Sequence, residues 1–158
     1  MENMDDQLYH ELQKFLVKAR NETFAGNGKF IHKRNRSKQY SYAHDKWKYR
    51  DEYFGSVIDI GMEIVYYENT PVWGINYFGG IKHGEFLDKK VVFSFLREAL
   101  SHVDITYPFR GPKFFENRFG SYNCMVMGDI RFFSGKENIQ VCGKTIYEKQ
   151  FSGGAILY

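Results

Sequence analysis

The sequence predicts an α+β domain, a mainly antiparallel curved sheet with two helices packed on one face. Three observations predict it. Two stretches repeat apolar residues at helical spacing, and several others alternate apolar and polar residues at strand spacing. The strands also follow one another through short turns, without the regular strand-helix alternation of a parallel sheet. A length of 158 residues fits a single domain over 1–158.

Asp5 or Asp6 is placed to cap a first helix, whose Leu8, Leu12, Phe15, Leu16 and Ala19 share one face. That helix should stop near Ala25-Gly26-Asn27-Gly28. Residues 26–44 show neither period and read as a long basic loop. Ile58, Ile60, Met62, Ile64 and Tyr66 then alternate with Asp59, Gly61, Glu63, Val65 and Tyr67, the pattern of a half-buried strand. Glu68-Asn69-Thr70-Pro71 reads as a turn and Val72 to Phe78 as the returning strand of a hairpin. Asp88 can cap a second helix, with Val91, Val92, Phe95, Leu96, Ala99, Leu100 and Val103 as its apolar stripe. Pro108 and Arg110-Gly111-Pro112 interrupt regular structure. Alternation resumes from Tyr122 to Phe133, and Ser134-Gly135-Lys136 reads as a turn. Ile139 to Cys142 and Lys144 to Phe151 read as strands joined at Gly143. No internal repeat is visible.

Composition excludes several classes. With 43% hydrophobic and 26% charged residues, the chain is expected to be neither a disordered segment nor a membrane protein, since no run nears the roughly 18 apolar residues of a spanning helix. The start Met1-Glu2-Asn3-Met4-Asp5-Asp6 lacks a basic, then apolar, export signal. A cytoplasmic location is therefore expected, with Cys124 and Cys142 as free thiols. The net charge of +3 hides an asymmetry: residues 29–50 hold eight Lys and Arg against Asp45 alone. Aromatic residues reach 18%, a supply that serves cores and binding surfaces alike.

The stretches Thr23-Phe24-Ala25-Gly26-Asn27-Gly28, Tyr49-Arg50-Asp51-Glu52-Tyr53-Phe54-Gly55, Gly61-Met62-Glu63, Pro71 to Gly79 and Phe133-Ser134-Gly135-Lys136-Glu137 occur in this order, followed by Gly153-Gly154. In these landmarks the chain resembles a bacterial domain family of unknown function, number 5680, over nearly its whole length. Some members of that family stand alone and others follow a helix-turn-helix. The resemblance implies a sensor or regulatory role but brings no established chemistry.

In Tyr49 to Gly55, strand geometry would put Tyr49, Asp51 and Tyr53 on one face and Arg50, Glu52 and Phe54 on the other. An Arg fork beside aromatic faces suits a planar anion; a surface ion pair over packed rings is the simpler reading. Asp59 and Glu63 are too far apart along one strand for joint acid-base work, roughly 13 Å. Glu63 with Asp129 or Glu137 would suit a small hydrolase, against solvated charges on an open sheet face. Asn76, among aromatics, either orients a ligand or bridges a bulge. His10, His32, His44, His83 and His102 form no close ligand pair and the cysteines no CxxC, so neither a metal nor a cofactor is expected. Lys33, Arg34, Arg36 and Lys38 beside Tyr40, Tyr42 and Trp47 are the elements of a nucleic-acid footprint.

The favoured expectation is a non-enzymatic ligand-sensing or interaction domain with an aromatic-rich pocket formed by Tyr49, Arg50, Tyr53, Glu63, Trp73, Asn76 and Tyr77. The alternatives are a small hydrolase using a carboxylate pair, and nucleic-acid binding through residues 29–50. A small-molecule ligand is the expected partner, no membrane association is expected, and exposed strand edges are compatible with a homodimer.

Overall fold

In the computed structural model, residues 4–82 and 88–157 are described. His83 and Met1 to Asn3 lie outside them. Helix α1 spans Asp6–Glu22, and the Asp5 side chain caps it by accepting from the Leu8 N–H at 2.7 Å. Five strands follow: β1 (Ile31–His32), β2 (Lys38–His44), β3 (Trp47–Gly55), β4 (Ile58–Tyr67) and β5 (Thr70–Ile81). Helix α2 spans Lys89–Ser101 and is capped by Asp88. The chain ends with β6 (Phe114–Glu116), β7 (Ser121–Asp129), β8 (Phe132–Val141) and β9 (Lys144–Ala155). All nine form one antiparallel, curved, unclosed sheet, ordered β1-β2-β3-β4-β5-β9-β8-β7-β6. The fold is α+β, as the sequence predicts.

The core lies between the helices and one face of this sheet, where Leu12, Phe15 and Leu16 of α1 and Val92, Phe95 and Leu96 of α2 meet Trp47, Val65, Trp73, Ile75, Ile139 and Tyr147. The burial of β4 runs against its hydropathy. Asp59, Glu63 and Val65 face inward, while Ile58, Ile60 and Met62 are 47%, 56% and 47% exposed. Glu63 is 1% exposed, so the expectation of solvated charges on an open face is overturned. Arginines supplied by distant elements make the inward carboxylates tolerable, which alternation along one strand cannot reveal.

The two halves of the chain are related by an approximate twofold through Tyr77 and Phe151, which lie opposite one another where β5 pairs with β9. β4 and β5 recur as β8 and β9 after 74 residues, Ile58 matching Phe132 and Thr70 matching Lys144. The match extends to the register shifts at Val65/Tyr66 and Ile139/Gln140, and to the left-handed turn pairs Glu68-Asn69 and Cys142-Gly143. Glu63 corresponds to Glu137, and β3 and β7, offset by one, match Tyr49 to Tyr122. In the helices Phe15-Leu16-Val17-Lys18-Ala19 matches Phe95-Leu96-Arg97-Glu98-Ala99, and Phe15 touches Tyr42 of β2 as Phe95 touches Phe115 of β6. The repeat escapes the sequence because its offset changes between elements and few identities survive.

Two further differences concern local structure. The stretch 26–44, read as a loop, contains β1 and β2, because β3 supplies a full pairing partner for Lys38–His44. The turn expected at Ser134-Gly135-Lys136 is the interior of β8, and the chain reverses instead between Asp129 and Phe132. Gly135 is needed for space: a Cβ there would lie 2.6 Å from the Phe151 ring, as one on Gly61 would lie 2.5 Å from the Tyr77 ring.

Candidate ligand-binding site

Inward-facing carboxylates on β4 and β8 need buried cations, and the end of α1 and the segment after α2 provide them. The Arg20 Nη2 donates to Glu63 Oε2 at 2.7 Å, and its Nη1 donates to the Pro108 carbonyl. Arg110 bridges the two halves, reaching Glu63 Oε1 at 3.0 Å and Glu137 Oε1 at 3.0 Å. Tyr122 and Tyr147 also donate to Glu137, at 2.6 and 3.1 Å. Burial alone would raise the Glu137 carboxyl, yet Arg110 and Lys149 hold it below its usual range. Glu63 and Glu137 thus converge as the sequence allowed, but both oxygens of each are committed to Arg or Tyr donors. Asp129 stands apart at the exposed end of β7, accepting from the Arg131 N–H.

A cavity of about 200 Å³ opens above this network, between the helices and β2 to β5. Its floor holds Asp51 and Asp59 beside Glu63. Lys149 Nζ lies 2.6 Å from Asp59 Oδ1 and 4.6 Å from the Tyr77 ring centre. Burial, and then Arg110, keep the Lys149 ammonium below its usual range, with Asp59 opposing. Asp51 accepts from the Tyr77 hydroxyl at 2.5 Å. Burial, then the cross-strand neighbour Glu63, pushes the Asp51 carboxyl up to about 7, although Tyr77, Arg110 and Lys149 pull it down. Burial and Asp51 together raise the Tyr77 phenol, which therefore serves as the donor. Phe24, Tyr40, Tyr49, Tyr53 and Phe93 contribute aromatic walls, with the half-exposed Phe30 at the rim.

Four of the seven sequence-predicted site residues, Tyr49, Tyr53, Glu63 and Tyr77, line this one cavity. Arg50 lies on the opposite sheet face, stacked on Tyr66 at 5.7 Å, and Asn76 is on that same outer face with Ser152 at 2.9 Å. Trp73 is fully buried and donates its indole N–H to the Ile130 carbonyl. The period of two separates Arg50 and Asn76 from Asp51 and Tyr77, a signal present in the sequence. The contribution of Arg20, Arg110, Lys149 and Asp59 depends on tertiary packing.

Much of the basic segment 29–50 is engaged within the chain. Lys33 pairs with Glu52 at 3.6 Å, Lys46 pairs with Glu68 at 2.6 Å, and Lys38 sits over the Phe30 and Tyr53 rings. Among the described residues no group of three His, Cys, Asp or Glu is placed to hold a metal, and no helix is long and apolar enough to cross a membrane.

The model of a family described as a domain of unknown function, DUF5680, matches residues 51–156, more than half of the chain. The chain belongs to the DUF5680 family. No curated protein and no solved structure matches it. The match runs from Asp51 on the cavity floor to the end of β9, so this DUF5680 domain includes Glu63, Tyr77, Arg110, Glu137 and Lys149 within the matched span.

Proposed function

We propose that this protein is a non-catalytic sensor that binds a small organic ligand, largely planar and apolar, in the aromatic-walled cavity beside Asp51. The observation that carries this reading is a difference between the two halves. At the positions related by the approximate twofold, Asp51 corresponds to Cys124, Asp59 to Phe133, Tyr77 to Phe151, Lys149 to Ile75 and Tyr53 to Val126. The second set is apolar, and all but Val126 are at most 4% exposed. The corresponding positions are therefore filled by packed apolar side chains in one half, and the buried charges at these positions in the other half cost desolvation that packing does not require. Such a cost is usual where a site is kept for binding. A non-catalytic role fits the commitment of Glu63 and Glu137 to arginines and tyrosines.

The test is native mass spectrometry of freshly purified protein, followed by NMR titration of the emptied protein with aromatic fragments. A bound organic mass, or shifts centred on Tyr40, Asp51 and Tyr53, is the expected result. No added mass, with fragments that perturb only the outer sheet face, would overturn the proposal.

A further inference from the structure

The charges of the cavity are segregated by depth. On the floor Arg20, Arg110 and Lys149 are matched by Glu63, Glu137 and Asp59 through the ion pairs described above. Among the described residues Asp51 is the surplus carboxyl, held by the Tyr77 hydroxyl and in no ion pair. At the rim the pattern inverts. Lys38 donates to the Gly55 carbonyl and lies 5.7 Å from the Phe30 ring centre and 5.5 Å from that of Tyr53, while the exposed Arg97 lies 5.1 Å from that of Phe24. Among the described residues neither is ion-paired. Tyr40 lines the same cavity and is influenced by both poles: burial raises its phenol, Arg97 opposes that rise and Asp51 adds to it.

A bare cation entering this cavity would pass two rim cations, and a bare anion would meet the surplus Asp51. A dipolar molecule satisfies both ends. We infer that the occupant is a zwitterion with an apolar or aromatic body, its ammonium against Asp51 and its carboxylate against Arg97 and Lys38. The inference rests on the binding site proposed above. The space suits it, for an apolar cavity of about 150 Å³ accepts benzene and about 200 Å³ adds room for a short polar chain. The rings lining the passage suit the ammonium, because aromatic faces attract cations; Lys38 already occupies two of them at the rim.

Asp51 is faced by Glu63 of β4, Tyr77 of β5, Lys149 of β9, Tyr40 of β2 and Arg110 from the segment after α2. Burial and Glu63 favour its protonated form, and the Tyr77 hydroxyl, Arg110 and Lys149 its charged form. Binding of an ammonium requires the carboxylate, so affinity should rise with pH as Asp51 ionises.

Calorimetric titration of the full chain with phenylalanine, phenethylamine, 3-phenylpropionate and benzyl alcohol tests the inference. Phenylalanine should bind about 10-fold to 100-fold more tightly than either singly charged analogue, the range for one added charged hydrogen bond. Its affinity should rise between pH 6 and 8. Asp51→Asn should abolish that rise and reduce phenylalanine binding to the level of 3-phenylpropionate. Arg97→Gln, a surface change that does not challenge folding, should weaken phenylalanine and 3-phenylpropionate but spare phenethylamine. Equal binding of phenylalanine and any one analogue would overturn the zwitterion while leaving the cavity as a binding site. Failure of all four probes would overturn both.

Discussion

Replacing Asp51 by Asn removes the floor carboxyl that is in no ion pair among the described residues, while leaving an oxygen to accept from Tyr77. The folded chain raises this carboxyl from 3.8 to about 7, so it holds its proton more tightly folded than unfolded. Its favourable contribution is complete below the unfolded value and is lost as pH climbs toward the folded one. A displacement of roughly 3 units, at a little over 1 kcal/mol each, is a penalty on the order of 4 kcal/mol above pH 8, against roughly 1 to 2 kcal/mol at pH 5. Urea unfolding of both proteins at pH 5, 7 and 8.5 measures it. The advantage of Asp51→Asn over the parent should grow by about 2 to 3 kcal/mol from the lowest to the highest pH. Other titrating groups cancel in this difference to the extent that they are common to both proteins. A constant difference across the series would refute the assignment of Asp51 as the surplus buried carboxyl.

Three other outcomes test the fold and its charged centre. Arg110→Leu leaves Glu63 and Glu137 without their shared partner and should destabilise by about 3 to 5 kcal/mol in chemical denaturation, as breaking a buried pair does. Gly61→Ala should cost about 1 to 3 kcal/mol, because the new methyl meets the Tyr77 ring; a neutral result would show that the ring is free to retreat. Ile60→Ser should change stability by no more than about 0.5 kcal/mol because Ile60 is exposed. Glu63→Ala should cost several times that, reversing the ranking that hydropathy along β4 suggests.

Periodicity revealed both helices, their Asp caps and the hairpin of β4 and β5, because caps, turns and amphipathic stripes are local events. It also placed Tyr49, Asp51 and Tyr53 on one face of β3 and Arg50 on the other. The inward sense of the Asp59 and Glu63 face was hidden, since an isolated strand favours burying Ile58, Ile60 and Met62 instead. Likewise Ser134-Gly135-Lys136 has the composition of a turn, and the close approach of the Phe151 ring and the Met125 carbonyl to Gly135 explains a glycine inside a strand.

What the sequence determined by itself was both helices, the hairpin of β4 and β5 and the alternation of side chains along these strands, whereas β1, β2 and the unbroken course of β8 emerged only from pairing with their neighbours. Which face became the interior was decided by tertiary structure, when α1 and the segment after α2 delivered Arg20 and Arg110 to Glu63 and Glu137. The pairing of β5 with β9 brought Lys149 to Asp59 and left Asp51 unbalanced. The physical reason is that a carboxylate is costly to bury alone and tolerable beside a buried cation, and its cation here is contributed by residues more than 40 positions away for Glu63 and 90 for Asp59.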